Sequence, residues 1–207
     1  MTHSGILIFG GTFDPPHRAH VVLPPLVATH LGCKRILYIP ARCNPLKADE
    51  PATPAEHRLA MLRLAVAPLP TAEISTIELD RAGPSYTIDT LHALRRQHTS
   101  GAAFHLLIGS DQALDFHRWR DWRRILELAT PAVMLRPPMD EPGYHKQLVE
   151  IHSPPEAQRW LRCTVHVPQM DIGAREIRRR LAEGGDVCDL LDNAVAEYIR
   201  SHALYGA

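Results

Sequence analysis

Residues Gly10 to His20 read GGTFDPPHRAH, directly after the apolar run ILIF. Gly10 and Gly11 let the backbone turn tightly and come close to a ligand. A helix is expected from about Arg18, and the free N–H groups and dipole at its start favour an anion. His17 and His20 stand three positions apart on that first turn, so both imidazoles point the same way. Such a pair can donate hydrogen bonds to a polyphosphate and stabilise charge building on its oxygens. The stretch is neither G-x-G-x-x-G nor G-x-x-x-x-G-K-[ST]. A plain glycine turn with one core and one exposed histidine therefore stands beside the phosphate reading. Metal chelation is a third reading, against which H-E-x-x-H is absent and no cysteine or carboxylate stands close at ligand spacing.

These residues need elements to hold them. Residues 5–9 read as a buried strand, and about 18–31 as a helix in which Pro24-Pro25 is expected to cause a kink or interruption. A strand at 35–40 is followed by a proline-rich loop at 41–54 and a helix from Pro54 to about Ala67. Residues 72–79 are strand-like, and 86–98 carry Ile88, Leu91 and Leu94 at helical spacing. Further strands are expected at 103–109, 132–137 and 162–168, with a short helix and a second one between the first two of these. Helices at 174–185, closed by Gly184-Gly185, and at about 189–202 complete the chain. Continuously apolar strands alternating with helices imply a doubly wound, Rossmann-like α/β fold, a parallel sheet with helices on both faces. The whole of 1–207 reads as one domain, with 138–162 as the candidate for a small insertion. In such sheets ligands bind at the carboxyl ends of the strands, where both FGGTFD and LIGSD fall.

Composition narrows the classes. Lys+Arg and Asp+Glu both count 23, and the formal net charge is zero, which argues against a dedicated nucleic-acid binder. Cys33, Cys43, Cys163 and Cys188 form no C-x-x-C pair, so neither a zinc ribbon nor a disulfide framework is expected and a reduced, cytoplasmic location fits. No signal peptide or membrane span is expected.

The stretch GGTFDPPHRAH resembles the G-G-[ST]-F-D-P-x-H-x-G-H signature of the nucleotidyltransferases with an H-x-G-H motif, and within them the bacterial nicotinate-nucleotide adenylyltransferases. GPSYTIDTL at 83–91, LIGSDQALDFHRWRDWRRIL at 107–126, IGAREIRRRL at 172–181 and YIRSHALY at 198–205 are similar to further segments of that family, in the same order. The resemblance implies transfer of the adenylyl group of ATP to nicotinate mononucleotide, by in-line attack and without a covalent enzyme intermediate. It places Gly10, Gly11, Thr12 and Phe13 along ATP. It puts His17 and His20 on the triphosphate, with His20 foremost in stabilising the transition state. Gly109 and Asp111 fall by the ribose and adenine, Ile172 also at the ATP site, and Arg178 at the β- and γ-phosphates. Mg²⁺ would be shared among ATP oxygens. Trp119 corresponds to a ring stacked on the pyridine, leaving Trp122 as the core tryptophan. Thr87 and the backbone N–H groups of Ile88 and Arg120 would line the nicotinate carboxylate, and Lys47 would lie near the phosphates. The implied partners are the two substrates, with no nucleic acid or membrane; the chain could also form a homo-oligomer.

Three positions depart from the family pattern. Ala19 replaces the glycine between the histidines, and Leu46 replaces a histidine before the basic residue. IGAR stands for I-S-S-T, so Gly173 and Ala174 carry no hydroxyl. Losing one or two neutral hydrogen bonds would slow an enzyme without abolishing it. The rival readings are an acceptor change, to nicotinamide mononucleotide or phosphopantetheine, and a nucleotide-binding protein weakened in catalysis.

Overall fold

The computed structural model describes residues 5–43, 52–98 and 101–207. Lys47 and Leu46 lie outside the described residues. The elements are β1 (Gly5–Gly11), α1 (Arg18–His30), β2 (Cys33–Pro40), α2 (Ala55–Val66), β3 (Ala72–Ile74), α3 (Thr87–Gln97) and β4 (Phe104–Gly109). There follow α4 (Ser110–Leu114), α5 (Trp122–Leu128), β5 (Thr130–Met134), α6 (Glu141–Ile151), α7 (Pro154–Arg162), α8 (Ala174–Ala182) and α9 (Asn193–Ser201).

All pairings in the sheet are parallel, in the order β3-β2-β1-β4-β5. The period-2 alternation of each strand sorts its side chains to the two faces. Ile6 and Ile8 join Leu37, Ile39, Leu106 and Ile108 in a core shared with α3, α5, α6 and α7. Leu7 and Phe9 join Ile36, Tyr38 and Leu107 in a core shared with α1 and α2. A third cluster lies behind α2, where Met61 and Ala65 meet Ile177 and Leu181 of α8 and Val195 and Ile199 of α9. The strand order reverses between β1 and β4, and this switch point leaves a crevice at the carboxyl ends of the strands. Gly10, Gly11 and Gly109 end those two strands.

Several sequence expectations need correction. The strand expected at 72–79 stops at Ile74. Thr76 and Asp80 then close a turn, backbone N–H to carbonyl at 2.9 Å and hydroxyl to carboxylate at 2.7 Å, which carries the chain off the sheet edge. The strand expected at 162–168 is a single parallel bridge, Thr164 to Val133, so the sheet has five strands. The helix α1 runs through Pro24 and Pro25 without interruption. Proline at 24 lacks the N–H that would bond the carbonyl four residues back, on His20. The Tyr38 hydroxyl donates to that carbonyl at 3.0 Å instead.

Residues 138–162 contain α6 and α7, and Tyr144, Leu148, Ala157 and Trp160 sit in the first core with the sheet. At the end of α8, Gly184 takes φ +68°, its N–H bonds Leu181 O at 3.0 Å, and Gly185 N–H bonds Arg180 O at 2.8 Å. That pairing is a Schellman closure, as the two glycines imply.

Candidate active site

The loop from β1 to α1 is held from below. Arg58, only 2% exposed, donates from Nη1 to Thr12 O at 2.8 Å and Ala41 O at 2.9 Å, and from Nε to Thr53 O at 2.8 Å. Burial lowers the Arg58 pKa, while the Asp14 charge opposes that shift. Phe13 takes φ +50°, and its buried ring meets Phe9 and His20 edge-on at 5.6 and 5.1 Å. A side chain on Gly11 would press that ring, since its Cβ would stand 3.1 Å from Phe13 Cζ.

His17 caps α1 and His20 lies one turn in, as their spacing requires. Their rings stack with centroids 3.6 Å apart. The His17 backbone N–H donates to His20 Nδ1 at 3.2 Å, so the ring proton of neutral His20 is on Nε2. Burial, then the Arg136 charge, lowers the His17 pKa to about 3. Burial, His17 and Arg136 likewise hold His20 well below its ordinary value. Both histidines are therefore neutral near pH 7, and His20 offers an N–H rather than a proton.

The cation that depresses them, Arg136, escaped the sequence reading. It follows β5, and its ion pair with Asp111 spans 3.6 Å. Both side chains fold over Gly109, where a Cβ would stand 2.4 Å from Asp111 Oδ1 and 2.6 Å from Arg136 Nε. The available signal was a lone arginine at the carboxyl end of a parallel strand. Arg178 of α8 crosses to the loop and donates from Nη1 to Asp14 O at 2.7 Å. Its neighbours Arg179 and Arg180 instead pair with Glu176 on the surface. Gly173 is the N-cap of α8, Ala174 its first residue, and Ile172 packs partly buried against the third core.

Beside this cluster a cavity of ≈ 370 Å³ is lined by Gly10, Gly11, Ile39, Tyr86, Thr87, Trp119 and Arg120, among others. Thr87 opens α3, so the helix start faces the cavity, with Ile88 buried behind it. Trp119 stacks one face on Phe116 at 4.8 Å. Its indole N–H is buried with no partner among the described residues. The Arg120 guanidinium lies 4.8 Å over the Tyr86 ring and 3.9 Å from Asp89. Trp122, expected in the core, is only partly buried, with Arg123 over its ring at 4.3 Å. Glu78 was not anticipated: it lines the cavity, accepts from Thr90 Oγ1 at 2.7 Å, and burial raises its pKa. A larger trough of ≈ 740 Å³ along α3 is open and lined by charges of both signs and by His92, and it contains neither glycine turn nor either histidine of the β1–α1 segment. Among the described residues no group of three His, Cys, Asp or Glu could hold a metal ion, and no helix is long and apolar enough to cross a membrane.

The sequence and the fold have counterparts. The cytidylyltransferase-like family model matches residues 8–180. A probable nicotinate-nucleotide adenylyltransferase of Thermomicrobium roseum is 41% identical over 96% of this chain and 90% of its own length. One from Roseiflexus sp. is 40% identical over 99% of this chain and 100% of its own. In structure the chain is similar to Plasmodium falciparum nicotinic acid mononucleotide adenylyltransferase complexed with NaAD. The TM-score is 0.76, with 19% identity, over 99% of this chain and 98% of that one.

Proposed function

The chain belongs to the cytidylyltransferase-like family and, within it, to the nicotinate-nucleotide adenylyltransferases, and from that membership we propose how its residues divide the reaction. The enzyme joins the adenylyl group of ATP to nicotinate mononucleotide, giving deamido-NAD and pyrophosphate. A phosphate oxygen of the mononucleotide forms a bond to the α-phosphorus as the bond from that phosphorus to the bridging oxygen of the β-phosphate breaks. A free phosphate is already a nucleophile, so the site needs alignment and charge stabilisation rather than a strong base.

His20 Nε2–H donates to the phosphate oxygens where charge develops, and His17 joins it once bound anion offsets the cost of charging its ring. Arg178 takes the leaving pyrophosphate. Arg136 adds a second cation, and with Asp111 it frames the nucleoside end of ATP over Gly109. Thr87 and the first N–H groups of α3 receive the pyridine carboxylate, with Trp119 against the ring. Mg²⁺ would be held by the oxygens of ATP itself, as the family resemblance implies, and would supply neutralisation of the phosphate charge.

The observation that carries the assignment is the meeting of Arg178 with Asp14, 164 positions apart, within the histidine loop. Pyrophosphate release with ATP, Mg²⁺ and each of three acceptors tests it. Nicotinate mononucleotide is expected to be preferred over nicotinamide mononucleotide and phosphopantetheine. His20→Ala is expected to lower kcat by about 10²-fold or more, the scale of a lost transition-state donor; near-full turnover would overturn the role given to His20.

A further inference from the structure

The end of the chain reaches the histidine loop. Beyond α9, Leu204–Gly206 form one 3-10 turn, with Gly206 close against Ala182 of α8. Within that turn Tyr205 has φ +59°, a region that bulky side chains adopt only where their surroundings hold them. Its hydroxyl donates to Asp14 Oδ1 at 2.5 Å, across 191 positions. The other carboxylate oxygen of Asp14 takes the Thr53 N–H at 3.1 Å, and its backbone carbonyl takes Arg178 at 2.7 Å. Asp14 is 5% exposed. It is the joint at which the histidine loop, the approach to α2, the α8 arginine and the C-terminus meet.

We propose that Tyr205 is a positioning residue for the ATP half of the site. Its hydroxyl fixes the Asp14 carboxylate, and with it the peptide whose carbonyl aims Arg178 at the phosphates. Asp14 lies in the loop that leads into His17 and His20. This rests on the triphosphate reading of that loop given above. None of Tyr205, Asp14 and Arg178 lines the acceptor cavity. A device acting through them is therefore selective for ATP, whereas general loosening of the fold would weaken both substrates.

Tyr205→Phe removes one oxygen and keeps the ring. Calorimetry with a non-hydrolysable ATP analogue and, separately, with nicotinate mononucleotide reads the effect without turnover, alongside the thermal midpoint. The analogue is expected to bind about ten-fold more weakly, the scale of one charge-assisted hydrogen bond, with the mononucleotide changed by less than about two-fold. In an Arg178→Ala background the same substitution is expected to cost less than about two-fold, because the two act through one carbonyl. Unchanged analogue affinity, equal weakening of both substrates, or losses that multiply in the double variant would each overturn the proposal. A wild-type protein that binds the analogue but releases no pyrophosphate with nicotinate mononucleotide overturns the acceptor assignment alone, and Tyr205 is then judged on its binding result.

Discussion

At the scale of single residues, burial sets the chemistry of the histidine pair. A surface His17 and His20 would be partly protonated near pH 6.5; here desolvation and Arg136 keep both neutral. The folded pKa values lie below the unfolded one, so the unfolded chain binds more protons as pH falls below 6.5. The stability these rings confer is complete above that value and is lost progressively on acidification, for His17 down to about pH 3. Each histidine contributes a slope of at most about 1.4 kcal/mol per pH unit in that window. Urea unfolding between pH 5 and 7 is expected to show this slope, shallower by up to one proton in His17→Gln. Arg136→Ala removes the repelling cation and is expected to raise both pKa values, visible in the imidazole proton shifts on titration.

At the scale of elements, two helix ends are open to test. Gly173 caps α8 with φ −127° and ψ 135°, and a Cβ there meets nothing within 4 Å. Gly173→Ser is therefore accommodated without strain, and its hydroxyl can accept from a free N–H at the helix start. A gain of a few tenths of a kcal/mol is expected in stability, together with a KM for ATP lowered about two- to ten-fold by the restored donor. In α1 the tyrosine that serves the proline-freed carbonyl is the exposed dependency. Tyr38→Phe leaves His20 O without its partner and is expected to cost about 1–3 kcal/mol, read by denaturant unfolding. Much of this level was legible in sequence. The glycine closure of α8, the strand end at Gly109 and the helix within 86–98 follow from local rules, whereas β1 runs on past residue 9 to Gly11. The early end of β3 was not, because Ile77 and Leu79 continue the apolar pattern while the Thr76–Asp80 turn breaks the backbone pairing.

At the scale of the molecule, the packing of α6 and α7 decides how the chain unfolds. Leu148 is fully buried in the core that also holds the sheet residues Ile6 and Leu106. Leu148→Ala is expected to cost about 2–5 kcal/mol, and circular dichroism and tryptophan fluorescence should still report one coincident transition; separate transitions would make residues 138–162 an independent unit. The sequence alone was sufficient for the parallel α/β architecture, the order of the motifs and the family. Period-2 and helical spacing, glycine breaks and apolar runs act over a few residues and so can be read within a window. Only the tertiary structure decided that Arg136 stands over Gly109, that Arg58 is buried beneath the loop, and that Tyr205 closes on Asp14. It also decided that the two histidines are neutral. Desolvation and hydrogen bonding depend on which atoms lie within a few ångströms, and here those atoms come from opposite ends of the chain.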